Sequence, residues 1–271
     1  MKKTLIYGLL IFLAIWFISK KFGFISAATV ALIFIAITLY NRRATLLTRF
    51  ASQAYFINGN VEKADKLYKK AYKTGLMDAS CKTSYSAFCL RENRFEKGRR
   101  LLNEVINSSR TADTERENAK HNLAILTWKE GNLEEAIKIM EEVHTKVPAT
   151  NTYGSLGVLY LERAKENTSY SDCLDFMREA YDYNNSDKTI ADNLGELYLN
   201  LGEYEEAKKI YDILLTTSLI TPMPYYNYGR VLKNLGDTDG ARENFEKALT
   251  CRFTSVLTVT REMIQQEIDS L

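Results

Sequence analysis

The sequence predicts an all-α chain in three parts: a pair of apolar helices, a stack of helical hairpins and a closing helix. Three observations carry the prediction. Helix breakers are scarce, with 3 Pro and 13 Gly among 271 residues, while Ala, Leu, Glu and Lys abound. The first forty residues hold two long uncharged runs. The remainder repeats itself with a period of 34 residues.

The apolar runs come first in the chain. Thr4 to Ser19 is an uncharged run of 16 residues, Lys20 and Lys21 interrupt it, and Phe22 to Tyr40 is a second run of 19 residues. A bilayer core of about 30 Å takes about 20 helical residues, with a lower limit near 17. The second run meets that length, and the first is extended by Lys2, Lys3, Lys20 and Lys21, whose stems snorkel to the interface. A cleaved signal peptide would also begin with Lys2 and Lys3. Against it stand the two lysines ahead of any small-residue cleavage site, and the second full-length run. The expectation is a transmembrane hairpin within residues 1–44, with helices at about 4–19 and 22–40. Lys2, Lys3, Arg42 and Arg43 lie on the side of its two ends, against Lys20 and Lys21 in the turn, which places the ends in the cytoplasm of a cell-membrane protein.

Charge is unevenly spread. Residues 45–112 hold 13 basic and 6 acidic residues, and residues 113–271 hold 17 basic and 28 acidic ones. The basic stretch beside the apolar runs suits an anionic leaflet. The acidic remainder argues against nucleic acid as a partner. Cys81, Cys89, Cys173 and Cys251 form no CxxC pair, and the chain has two His, so neither a metal site nor a cofactor is expected.

The repeats are legible by self-comparison. Gly195 aligns with Gly229, Gly202 with Gly236, Ala207 with Ala241, Tyr211 with Phe245 and Leu215 with Leu249. Residues 150–187 supply Tyr153, Leu156, Gly157, Tyr160 and Ala180; residues 117–149 supply Leu123, Ala124, Gly131, Ala136 and Pro148; residues 45–78 supply Tyr55, Gly59, Ala64, Tyr68 and Ala71. The unit at 79–112 is weakest, with Ser86 and Gly98 in place of the usual small pair. With 188–221 and 222–255 this makes six units. Small residues let the two helices of a hairpin approach, and large ones fill the space between hairpins; a single hairpin cannot bury its apolar face, so the units must stack. Residues 256–271 read as a capping helix, with Val256, Leu257, Val259, Met263, Ile264 and Ile268 on an apolar side.

This pattern of small and aromatic residues at a period of 34 resembles the tetratricopeptide repeat (TPR). The resemblance implies a right-handed α-solenoid whose first helices line an inner, concave face and bind a protein or an extended peptide. Two residues before the small residue of the first helix stand Asn122, Asn193 and Asn227, with Ser84 and Ser155 in two other units, which resembles the asparagine ladder of some superhelical members. A carboxamide carries both a donor and an acceptor, so such a ladder can hold the backbone of an extended peptide; bonding within the solenoid is the other use of these amides. Further inward positions implied by the resemblance are His121, Ile125 and Trp128, then Asp192, Glu196 and Asn200, then Tyr226, Arg230, Lys233 and Asn234. Trp128 is a candidate anchor, and Arg230 and Lys233 a candidate carboxylate clamp. The Lys, Asn and Arg set of chaperone-tail receptors is not found.

No glycine-rich phosphate loop, HExxH or GxSxG occurs, so an enzyme and a small-molecule substrate are not expected. The expected function is a membrane-tethered interaction scaffold. The alternative is an accessory subunit of a membrane complex, assembled through the hairpin, where Ser26, Ala27, Ala28 and Ala31 allow close helix contact.

Overall fold

The structure, a computed structural model, describes residues 16–17, 19–21, 23–167 and 169–271. The described residues are helical with no strand, in two compact units, 1–84 and 85–271.

In the first unit, α1 (Phe24–Asn41) leads directly into α2 (Arg43–Phe56) and α3 (Val61–Lys73). Asn60 starts α3 by accepting from the Lys63 amide at 2.9 Å. Helices α2 and α3 form a hairpin that buries Ala51, Ala54 and Tyr55 against Ala64, Tyr68 and Ala71, and the Tyr68 hydroxyl meets Ser52 Oγ at 2.9 Å. Most of the expected helix at 4–19 lies outside the described residues. The run at 22–40 forms α1, but among the described residues no single helix is long and apolar enough to cross a membrane. The pair 25–41 and 43–56 reaches that composition together, bent by 62°. Its second half is α2, whose buried face is already spent on α3.

Helix α4 (Ala79–Arg91) runs from the first unit into the second. There the hairpins continue as α5 (Phe95–Ile106), α6 (Asp113–Lys129), α7 (Leu133–Lys146), α8 (Thr150–Asn167), α9 (Leu174–Tyr183), α10 (Lys188–Leu201), α11 (Tyr204–Leu214), α12 (Met223–Asn234) and α13 (Thr238–Thr250). The insertion in the α8–α9 hairpin folds as a short 3-10 turn, Tyr170–Cys173. The first helices α6, α8, α10 and α12 each pack on their own second helix and on the hairpin beside it, as stacking requires.

The aligned small and aromatic residues meet in space. The Tyr211 ring lies over Gly195, where a Cβ would stand 2.7 Å from ring carbon Cζ, and the Phe245 ring lies over Gly229, where it would stand 2.5 Å from Cε1. Both rings are fully buried in a core shared with Ala207, Ala241 and Leu194. The weak unit uses another solution: Gly98 faces Leu126 of the next hairpin, at 3.0 Å from a Cβ position.

The closing helix α14 (Arg261–Asp269) is shorter than expected. Thr260 caps it by accepting from the Met263 amide at 3.3 Å. Residues 251–260 are irregular, so the apolar face read from Val256 onward is not helical. The local cause is composition: Thr254, Val256, Thr258, Val259 and Thr260 are β-branched and resist a helix.

Candidate functional site

In the second unit, a cavity of about 400 Å³ opens on the wall built by five successive first helices. Leu90 and Arg91 come from α4, His121, Asn122, Ile125 and Trp128 from α6, Ser155, Val158 and Leu161 from α8, Asp192, Asn193 and Glu196 from α10, and Met223 and Pro224 from α12. Val256, Leu257 and Thr258 close it from the other side. A second cavity of about 400 Å³ lies further along, lined by Lys165, Tyr170, Glu196, Tyr226, Asn227, Arg230 and Glu267 among others.

The expected site residues fall into three sets. The first lines the groove. His121 Nε2 sits 2.9 Å from Ser155 Oγ, and burial holds its pKa below the ordinary imidazole range, so the ring is neutral at pH 7. Asn122 donates to the Asn118 carbonyl at 3.1 Å, one turn back in its own helix, and lines the cavity. Trp128 is half-buried, packs beside Ala124 and Leu156, and carries Lys129 Nζ at 3.8 Å from its ring centre.

The second set belongs to the wall itself. Asn193 is buried and donates to the Gly154 carbonyl at 2.8 Å, tying α10 to α8. Asn227 is fully buried; its Nδ2 lies 3.3 Å from both Asp192 Oδ1 and Glu196 Oε2, and its Oδ1 finds no partner among the described residues. Glu196 is buried and paired with Lys165 at 2.9 Å. Asp192 also accepts from the Tyr211 hydroxyl at 3.0 Å. Burial first, then the Glu196 charge, pushes the Asp192 pKa up to about 7. All three ladder amides thus donate inside the solenoid, Asn122 within its own helix and Asn193 and Asn227 between helices.

The third set faces the C-terminal helix. The clamp expected from Arg230 and Lys233 holds a carboxylate supplied by the chain itself: Lys233 Nζ lies 2.8 Å from Glu267 Oε2, and Arg230 Nε lies 4.0 Å from Glu267 Oε1. Tyr226 is buried under Arg230, whose guanidinium sits 5.6 Å from the ring centre. Asn234 is exposed and donates to the Arg230 carbonyl at 2.8 Å. Sequence reasoning missed Lys165, Glu162 and Glu267, which have no place in the repeat pattern: Glu162 and Lys165 pair one turn apart on α8, and the fold sets Lys165 beside Glu196 and Glu267 beside Lys233. Among the described residues no group of His, Cys, Asp or Glu could hold a metal ion.

Residues 190–212 and 224–252 match the family model of the tetratricopeptide repeat. No curated protein matches the chain. Among solved structures, the fold is similar to that of a tetratricopeptide repeat protein from Parabacteroides merdae, at 14% identity and a TM-score of 0.64, with 96% of each chain covered. A thermophilic TPR protein of Thermus thermophilus is similar over 71% of this chain and 98% of that one, at 15% identity and a TM-score of 0.57. PilF of Pseudomonas aeruginosa is similar over 83% of this chain and 97% of that one, at 15% identity and a TM-score of 0.56. The chain therefore has a TPR-like helical solenoid fold.

Proposed function

We propose that this chain is an interaction scaffold that binds an extended segment of a partner protein in the groove of its first helices, and that apolar N-terminal helices tether it to a membrane. The observation that carries the reading is the cavity to which five successive first helices contribute. It pairs aliphatic and aromatic surface (Ile125, Trp128, Val158) with polar side chains able to meet a peptide backbone (His121, Asn122, Ser155). Such a surface suits recognition better than chemistry, and the proposal includes no enzymatic activity, no cofactor and no nucleic acid.

The tether rests on α1. Its large side chains have no partner around most of the helix: Ile25 is 81% exposed and Leu32 66%, and Ile33, Phe34, Ile35, Ile37 and Leu39 are exposed as well. Ser26, Ala27, Ala28 and Ala31 form the covered side. At its end the Arg43 guanidinium lies 3.9 Å from the Tyr40 ring centre, a pairing suited to a headgroup region. At about 27 Å, the helix approaches the thickness of a bilayer core. The same apolar surface supports the second reading, an accessory subunit held in a membrane complex by this segment.

The groove is tested by crosslinking the full-length chain in its own membranes and comparing it with an Asn122→Ala/Ile125→Asp variant. A partner crosslinked by the wild-type chain is expected to be lost from the variant, with helicity by circular dichroism unchanged. Retention of the same partner removes the groove from the reading. Asn193 and Asn227 are unsuitable for this test, because their substitution disturbs the wall. The sidedness of the tether is tested with an impermeant thiol reagent at an introduced Glu246→Cys, since Cys173 is buried and Cys251 half-buried. Labelling only after lysis is the expected result; labelling of intact cells places the solenoid outside.

A further inference from the structure

The ten residues between α13 and α14 have no regular structure, yet every one from Cys251 to Val259 is half-buried or buried. A connection of this kind ordinarily runs over the surface, where water satisfies its backbone. This one crosses the groove. The Arg252 amide donates to the Ile220 carbonyl at 3.1 Å, and the Leu257 amide closes a turn on the Thr254 carbonyl at 3.1 Å. At the turn, Ser255 Oγ donates at 2.8 Å to the carbonyl of Leu90, 165 residues earlier at the end of α4. Val256, Leu257 and Thr258 then line the groove cavity opposite the first helices. The chain returns to the core at Val259, which is 4% exposed.

Anchoring along this strap is uneven. Its flanks are tied to the core: Val259 is buried in it, Phe253 packs against it beneath the Arg261 guanidinium at 4.3 Å, and Arg261 donates to the Leu249 carbonyl at 2.6 Å. The tip is held more lightly: by the hydrogen bond from Ser255, the weak contact of Thr258 Oγ1 with Met223 Sδ at 3.6 Å, its own Leu257–Thr254 turn bond and the half-buried side chains of Val256 and Leu257. A segment with few buried contacts between two firm anchors belongs to the low-stability end of a fold. From Phe253 to Thr260 it also carries no charge, and its β-branched residues favour extended backbone.

We propose that residues 254–258 are a built-in occupant of the groove, and that the partner segment is an uncharged peptide that makes the same turn with the same chemistry, a small hydroxyl residue followed by two aliphatic ones, which takes their place. The inference rests on the groove reading above and names the ligand class for it. Ser255 shows where the hydroxyl of such a peptide would bond, and Val256 and Leu257 show where its aliphatic residues would sit against the first-helix wall.

The test uses the full-length chain in detergent and a fluorescent synthetic peptide with the sequence of residues 253–260, read by anisotropy. In one variant residues 254–258 are replaced by a glycine–serine stretch of equal length. In a milder one Ser255→Asp sets a carboxylate against the Leu90 carbonyl. A tethered strap acts at an effective concentration on the order of mM, so for a peptide whose own Kd is about 0.1 mM it weakens binding about tenfold. The replaced variant is therefore expected to bind the peptide about tenfold more tightly than wild type, Ser255→Asp to fall between, and a scrambled peptide not to bind. Equal binding by all three chains, or binding indifferent to scrambling, overturns the proposal. The two readings fail separately. If a partner crosslinks through the groove but strap replacement leaves its yield unchanged, the strap proposal falls alone. If the peptide behaves as expected while no crosslink depends on Asn122 and Ile125, the partner reading falls and the strap stands.

Discussion

Gly229→Ala is expected to destabilise the solenoid by roughly 1–3 kcal/mol, the cost of overpacking a filled core. The added Cβ would stand 2.5 Å, 2.7 Å and 3.0 Å from three atoms of the Phe245 ring. That ring has nowhere to go, because Phe245 is fully buried between α12, Tyr226 and the rest of the core. Gly195→Ala should behave alike, since its Cβ would meet the Tyr211 ring at 2.7 Å while Tyr211 is fixed by its bond to Asp192. The comparison that isolates the mechanism is Gly202→Ala. Gly202 ends α10 at φ +79° with nothing within 4 Å of its Cβ position, so alanine there costs about 1 kcal/mol of backbone strain and no packing. A second substitution, Phe245→Leu, should recover part of the loss in Gly229→Ala and none of it in Gly202→Ala. Urea midpoints by circular dichroism decide the matter. Equal losses at Gly229 and Gly202, or no recovery, would show that the ring does not set the packing of the last hairpin.

The same close approach explains what the sequence could reveal. A period of 34 residues is legible because each hairpin must solve one local problem, a ring over a small residue, and repeats the solution. Gly195 with Tyr211 and Gly229 with Phe245 are visible for that reason. The unit at 79–112 looked weak because it solves the problem differently, with Gly98 against Leu126 of the next hairpin. The strap was not legible at all. Its defining contact joins Ser255 to Leu90 across most of the second unit, and neither residue belongs to a repeating pattern. Val256 and Leu257 instead suggested a helix face, since apolar residues alone do not say which surface they cover. The polar residues expected on the inner face lie on first helices, and their use was hidden. An Asn at a ladder position can face a ligand or tie two helices together, and only the neighbouring carbonyl of Gly154 and the carboxylates of Asp192 and Glu196 decide it. Arg230 and Lys233 were expected to meet a partner's carboxylate, and in the structure they face the chain's own Glu267.

Asp192→Asn is expected to stabilise the protein above neutral pH and to flatten its pH dependence. In the wall, Asp192 Oδ1 accepts from Tyr211 and lies within reach of Asn227, while Glu196, bridged to Lys165, stands close enough to oppose a second negative charge. With its pKa pushed up to about 7 against an ordinary value of 3.8, the folded chain holds this proton more tightly than the unfolded one. The contribution therefore favours folding below about pH 4, is lost progressively as pH rises from about 4 to about 7, and stays lost above that. At about 1.4 kcal/mol per pH unit the loss reaches up to about 4 kcal/mol. Asparagine keeps an acceptor for the Tyr211 hydroxyl and the Asn227 amide, and removes the charge. The variant should match wild type near pH 4 and exceed it by a few kcal/mol at pH 8, so the difference between the two chains, read from urea midpoints across that range, isolates the one carboxyl from all others. A constant difference across the range would mean that Asp192 ionises normally and that its burial beside Glu196 costs the fold nothing. A rising difference would mean that the solenoid carries a strained acid in its binding wall, where stability has been given up to keep Asp192 beside the groove.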